Sequence, residues 1–116
     1  MTPLELKDKV IEILQERKTE KLTVVDVAKQ TQIADYMIIM SAQTNMQVRS
    51  LCEFIDDKLD KEYGIVPKRR EGEKEGRWIV MDYSSVIIHI FKNELRDTYS
   101  LEKLWTCGDN ITVIEQ

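Results

Sequence analysis

Two helices are indicated by apolar residues at three- and four-residue spacing, each preceded by a capping sequence. Thr2 and Glu5 form a capping box before the first helix, and Thr44 and Gln47 form one before the second. Gly64 is positioned to end the second helix in a left-handed conformation. The apolar stripes are Leu6, Val10, Ile13 and Leu14 in the first helix, and Val48, Leu51, Cys52, Ile55 and Leu59 in the second.

Strands are predicted where β-branched and apolar residues run together. Residues 22–27 are rich in valine and threonine, and residues 36–40 form a continuous apolar run typical of a strand buried on both faces. A hairpin could join these two segments, although its connection is long. Residues 77–83 and 86–91 predict an antiparallel hairpin, and residues 65–67 a short edge strand.

The rest of the pattern predicts connections and a helical end. Residues 68–76 are charged and contain two glycines, which indicates an exposed loop. Short helices are predicted at 94–99, capped by Asn93, and at 100–105, capped by Ser100. We therefore expect a single α/β domain over residues 1–116, with helices packed on a mixed β-sheet. Residues 106–116 are a candidate extra tail, although their apolar residues suggest that they pack.

Composition and net charge limit the classes of protein to which this chain can belong. The 116 residues carry a net charge of −4, and the pI of about 5.1 argues against a protein built mainly to grip phosphate backbones. No apolar run is long enough for a membrane span, and no targeting sequence is evident, so a cytoplasmic location is expected. Cys52 and Cys107 are interpreted as reduced thiols rather than a disulfide.

Candidate chemistry is sparse. His89, the only histidine, could act as a general base or pH switch, but no partner is locally evident, which favours a hydrogen-bonded strand residue. Asp26 and Asp35 lack the paired carboxylates of a metal-dependent transferase. The four glycines form no phosphate-binding loop, and the basic residues 68–70 are followed at once by acidic ones. The sequence therefore predicts no catalytic, cofactor-binding or metal-binding residue.

Aromatic residues near the end of the chain are a stronger signal. Trp78, Tyr83, Phe91, Tyr99 and Trp105 are interleaved with acidic side chains. Aromatics surrounded by acids suit an interface with a basic protein. The alternative is that they belong to the core, a choice evenly balanced for Trp78 and Phe91. Tyr99 and Trp105 are expected to be partly exposed, because short terminal helices bury only one side.

Four ordered motifs resemble those of the ribosomal silencing factor (Iojap-like) family. Each motif alone is weak, but together they span about four-fifths of the chain in the family's order. The matching residues are 33–41; Thr44, Asn45, Gln47, Val48 and Arg49; Glu71, Gly72, Trp78, Asp82, Tyr83, Val86, Ile88, His89 and Phe91; and Arg96, Tyr99, Leu101, Glu102, Leu104 and Trp105.

The resemblance implies a nucleotidyltransferase-like fold without the transferase reaction. It implies a non-enzymatic translation repressor that binds the fourteenth protein of the large ribosomal subunit. Such binding would block subunit joining when nutrients are short. It also implies a homodimer as a second state. The partner-binding residues expected from the matched motifs are Trp78, Met81, Asp82, Tyr83, Tyr99, Leu104 and Trp105.

Two other functions stay open at this stage. A metal-dependent nucleotidyltransferase would need a close carboxylate pair. A direct RNA-binding module would use residues 68–70 and bind naked RNA with steep salt dependence.

Overall fold

A computed structural model describes residues 1–17, 19–99, 103, 105 and 110–114. It contains one six-stranded sheet and three helices in the described residues. The elements are α1 (Pro3–Gln15), β1 (Glu20–Asp26), β2 (Tyr36–Ala42), α2 (Asn45–Tyr63), β3 (Arg69–Glu71), β4 (Trp78–Asp82), β5 (Val86–Lys92), α3 (Asn93–Tyr99) and β6 (Ile111–Val113).

Both long helices begin and end as their sequences predict. The Thr2 and Thr44 side chains each accept a hydrogen bond from the backbone three residues on, completing the two capping boxes. Gly64 ends α2 with φ 65°, a conformation that costs glycine little. The residues of both predicted apolar stripes are buried, which confirms the helical spacing.

The sheet is mixed, with strand order β3-β4-β5-β2-β1-β6. Among the strands described, β2 and β5 are the one parallel pair, and the other neighbouring strands are antiparallel. This confirms both predicted hairpins, β1–β2 and β4–β5. The tail also packs: β6 pairs with β1, placing Thr112 opposite Val24.

The two faces of the sheet are covered unequally. On one face, α1 and α2 pack over the larger core cluster, which includes Ile38, Ile88 and Ile90. The other face has a smaller cluster that includes Ile39 and Phe91. Leu95 of the seven-residue α3 and Trp105 pack against it. Among the described residues, α3 and Trp105 cover this second face, whereas two long helices cover the first.

The predictions for residues 65–76 were wrong in two respects. Residues 65–67 form no strand, and the predicted loop instead contains β3, paired with β4 so that Arg69 lies opposite Asp82. The strand exists because β4 presents an edge to pair with, a tertiary influence that local composition does not encode. The 100–105 helix prediction falls largely outside the described residues.

None of the helices in the described part of the chain has the length and apolar character of a membrane span. Cys52 is a free, buried thiol whose pKa burial raises to about 12. The interpretation of both cysteines as reduced thiols stays a prediction, because Cys107 lies outside the described residues.

Candidate partner-binding surface

Trp78 lies at the start of β4, on the side of the sheet where Leu95 of α3 packs. We call the group of Trp78, Val80, His89 and Phe91 on that side the aromatic face; Trp78 and Val80 are its partly exposed members, and His89 and Phe91 are buried beneath them. The Trp78 ring stacks on Phe91 with centroids 4.9 Å apart and an interplanar angle of 22°. Its Nε1 donates a 3.1 Å hydrogen bond to His89 Nδ1. Trp78 is only partly buried, so a preorganised indole is presented at the surface.

His89 supports Trp78 rather than forming a catalytic pair. The residue is 7% exposed, and desolvation lowers the pKa of its imidazole to about 4. The ring is therefore neutral at pH 7, with Nδ1 free of a proton and able to accept from Trp78. Its Nε2 has no hydrogen-bond partner among the described residues. The interpretation of His89 as a hydrogen-bonded strand residue is confirmed.

Asp82 has local partners. One carboxylate oxygen accepts from the Ser84 backbone N–H at 2.8 Å, and the other lies 3.4 Å from Arg69 Nε. The Asp82 side chain is 14% exposed, whereas that of Arg69 is 69% exposed. This part of the surface therefore carries an ion pair rather than an isolated negative charge.

Met81 and Tyr83 lie on the other side of the sheet, in the core beneath α1 and α2. Met81 is 0% exposed and Tyr83 is 6% exposed. Successive strand side chains point to opposite faces, so Met81 and Tyr83 are directed away from Trp78. As placed, these two side chains have almost no area for a partner to contact, contrary to the expectation from the motifs.

The remaining expected contact residues come from the end of the chain. Trp105 is partly exposed and packs against the same apolar cluster as Trp78. Tyr99 ends α3, but its side chain is outside the described part of the structure, as is the whole of Leu104. The structure thus brings the two tryptophans, 27 positions apart in sequence, to one side of one sheet.

The loop before Trp78 is held by α2. The Arg49 guanidinium donates to the backbone carbonyls of Glu73, Lys74 and Glu75 at 3.0–3.2 Å. Asn45 adds a 3.0 Å bond from its amide to the Glu75 carbonyl. These bonds fix the loop backbone next to the tryptophan.

Gly72 lies directly against the Trp78 backbone. It has φ +87°, and a Cβ added there would lie 2.0 Å from the Trp78 carbonyl oxygen. The left-handed φ and the lack of space for a side chain both restrict this position to glycine. The backbone position of Trp78 therefore depends on the absence of a side chain at residue 72.

A depression of about 230 Å³ lies beside Trp78, with Leu95 forming another apolar wall. Glu75 and Arg77 contribute charged groups to its lining, and Gly72 completes it. Such a depression can receive an aliphatic stem that ends in a charged group.

Leu95 and the loop-holding Arg49 were not among the expected site residues. The two-residue alternation of β4 could have revealed Val80 as a companion of Trp78.

Of the basic residues at 68–70, Lys68 and Arg69 are exposed, whereas Arg70 is held in a network of ion pairs. The Arg70 side chain is 18% exposed and is bonded to Glu73 at 2.6 Å, to Glu53 at 2.5 Å and to Asp56. The hydrogen bonds to Glu73 contribute most to raising the pKa of Arg70, and the same pairing lowers the pKa of Glu73. Among the described residues, no group of three His, Cys, Asp or Glu side chains is arranged to hold a metal ion.

In the described residues, a mixed six-stranded sheet with helices on both faces defines a small α/β protein, and a stacked, partly exposed tryptophan lies on one of these faces. A family model described as "Ribosomal silencing factor during starvation" matches residues 1–116. The chain belongs to this family of ribosomal silencing factors.

Individual relatives agree with this family. The chain is 34% identical over 90 residues to the ribosomal silencing factor of Bacillus subtilis, covering 78% of this chain and 75% of that one. It is 28% identical to a mouse protein named "Mitochondrial assembly of ribosomal large subunit protein 1", covering 85% of this chain and 44% of that one. A crystal structure of a Chromobacterium violaceum protein superposes with a TM-score of 0.85 at 31% identity, covering 90% and 87% of the two chains.

Proposed function

We propose that this protein binds the large ribosomal subunit through its fourteenth protein and blocks joining of the small subunit, repressing translation in the cytoplasm when nutrients are limiting. Membership of the silencing-factor family supports the ribosomal role. The observation that supports the proposed binding site is the partly exposed Trp78, which contacts Phe91 and His89 on the aromatic face. Occlusion requires no catalytic residue, because the bound protein itself is the obstacle.

The chemistry of the surface fits a basic partner. Trp78, Leu95 and Trp105 supply apolar area at one side of the sheet, and tryptophan is prominent among the residues that dominate interface energies. A lysine or arginine of the partner would lay its aliphatic stem between Trp78 and Leu95 and place its charge near Glu75. The net charge of −4 favours encounter with a basic ribosomal protein.

Trp78→Ala tests the site. It should reduce affinity for large subunits by about thirtyfold or more, since it removes a central aromatic anchor. The measurement is co-sedimentation with separated subunits on sucrose gradients, followed by a subunit-rejoining assay. Tyr63→Ala is the control, because Tyr63 is an exposed aromatic residue at the end of α2, outside the aromatic face. Wild-type affinity for the Trp78 variant would refute the site, and absence of wild-type binding to either subunit would refute the function.

A homodimer formed through the aromatic face would compete with ribosome binding, because one surface would serve both contacts. A covalently cross-linked dimer should then bind large subunits less well than the monomer. Undiminished affinity of the cross-linked dimer would remove the competition hypothesis.

A further inference from the structure

A second concave site lies far along the sheet from β4, at the edge formed by β1 and β6. We call it the β1 groove; it has a volume of about 450 Å³, and its lining includes Lys7, Val24, Asp26, Lys29, Tyr36 and Asn110. This volume lies within the range of small-molecule sites, roughly 300–1,000 Å³. Among the residues that the structure describes, the groove shares no lining residue with the depression beside Trp78.

Two lysines from different parts of the chain line the groove, and one of them is paired with an acidic residue. Lys7 comes from α1, with its ammonium 2.8 Å from Asp8 and 5.4 Å from the centroid of the Tyr36 ring. Lys29 comes from the connection after β1 and is exposed. In the described part of the chain Lys29 has no ion-pair partner, so its ammonium is available to an anionic ligand.

Asp26 determines what kind of anion fits. One of its carboxylate oxygens accepts from the Ala28 backbone N–H at 3.1 Å, and the other has no hydrogen-bond partner among the described residues. A bare anion close to this carboxylate would be repelled. A ligand that also carries hydroxyl groups would instead donate to Asp26. The favoured ligand therefore combines a negative group with nearby hydroxyl donors.

The inner wall of the groove is apolar and fixed. Val24 and the Tyr36 ring belong to or pack against the main core cluster, so they form a firm surface. Asn110 closes one end, where its amide donates to the backbone carbonyls of Asp26 and Trp105 and to the Gln30 side chain at 2.8–3.1 Å. These bonds hold Asn110, the residue just before β6, against the end of β1.

We propose that the β1 groove binds a nucleoside monophosphate. Lys29 receives the phosphate; Asp26 accepts hydrogen bonds from the ribose hydroxyls; and the base packs at the Tyr36 ring, beside the Lys7 ammonium. An acidic side chain accepting from ribose hydroxyls is a recurrent solution in nucleotide sites. This proposal goes beyond ribosome binding and does not depend on it.

Calorimetric titration of the full chain with each of AMP, GMP, CMP and UMP tests the proposal. At least one should bind saturably, and inorganic phosphate and the matching free nucleoside should each bind about tenfold more weakly. Chemical-shift changes on titration should include the Asn110 side-chain amide and the Lys29 backbone amide. If no monophosphate binds at concentrations up to about 5 mM, or if phosphate alone binds as tightly, the proposal is wrong.

Two variants test the assigned roles. Lys29→Glu should weaken monophosphate binding about tenfold to hundredfold, since a charge-assisted contact becomes repulsive. Asp26→Asn should weaken monophosphate binding but strengthen binding of inorganic phosphate, because the repelling charge is lost while the bond to Ala28 can remain. Lys61→Glu makes the same charge change on the exposed side of α2 and should leave affinity unaltered. Equal losses in the Lys29 and Lys61 variants would show non-specific charge attraction and overturn the proposal.

Discussion

At the scale of single residues, the hydrogen bond between Trp78 and His89 links surface geometry to protonation. Burial lowers the His89 pKa from 6.5 to about 4. At pH values between these two, the ring is neutral in the folded protein but protonated in the unfolded chain. Protonation would place a hydrogen on Nδ1 and remove the acceptor that Trp78 uses.

Stability should therefore fall as the pH is lowered from 6.5 toward 4. The unfolded state binds more protons than the folded state in this window, and the loss should reach about 2 kcal/mol by about pH 5. Urea unfolding at several pH values measures it. His89→Asn should remove much of the slope between about pH 6.5 and pH 5, where most carboxylates have yet to titrate. An identical slope in this variant would show that other groups are responsible.

Gly72 offers a second test at the residue scale. Gly72→Ala should lower the free energy of unfolding by more than about 2 kcal/mol, for two reasons. The added Cβ would clash with the Trp78 carbonyl oxygen, and alanine would have to adopt a left-handed backbone conformation. Gly64→Ala is the matched control: it has a similar left-handed φ, but open space around the added Cβ, and should cost only about 1 kcal/mol. Equal losses in urea unfolding would mean that the close approach to Trp78 is unimportant.

At the scale of elements, α2 and α3 hold the site from opposite sides of the sheet. The start of α2 fixes the 72–77 loop through Arg49. α3 has only seven residues, too few for independent stability. Its buried Arg96 donates to Thr23 at 2.8 Å and lies 3.4 Å from Ser41, tying the helix to β1 and β2. The aromatic face is therefore held by contacts from distant parts of the chain.

Arg49→Ala should loosen the loop without unfolding α2, since it removes three hydrogen bonds to loop carbonyls. Amide hydrogen exchange at Gly76, whose N–H bonds the Gly72 carbonyl at 3.1 Å, should accelerate by about tenfold or more. Binding to large subunits should weaken in parallel. Lys61→Ala, on the exposed side of the same helix, serves as the control. Unchanged exchange at Gly76 would show that other contacts hold the loop.

The elements that the sequence predicted well are those specified by neighbouring residues. The Thr2 and Thr44 capping boxes and the helical stripes lie within single helices, and the apolar run of β2 lies within one strand. β3 was missed because it depends on pairing with β4. The predicted family and fold class were right, because ordered motifs identify both.

The site was less predictable than the fold. Trp78 and Trp105 could be nominated as aromatics, but their shared cluster follows from the docking of distant segments. Two ion partners of Arg70 come from α2 and one from the loop after β3, so the local charge pattern could not predict that Arg70 is largely buried. Met81 and Tyr83 show the opposite case, since strand alternation alone would have separated them from Trp78.

At the scale of the whole molecule, net charge should govern the rate of partner binding. Association with a basic ribosomal protein should slow several-fold between about 50 and 500 mM salt, because screening weakens long-range attraction to a chain of charge −4. The dissociation rate should change less, since apolar packing around Trp78 is less sensitive to salt. Stopped-flow or surface binding kinetics would separate the two. If salt changed only the dissociation rate, net charge would not govern association, and the prediction would be wrong.

The parallel pairing of β2 with β5 has a consequence for how the chain folds. The hairpins β1–β2 and β4–β5 each close over short sequence separations, but they join in one sheet through a strand pair that begins 50 residues apart, at Tyr36 and Val86. Closing so long a loop costs entropy before its contacts form, so we expect this joining to limit the folding rate. Cleavage in residues 65–68 should leave two fragments that recover the native sheet together, with a rate that rises with their concentration.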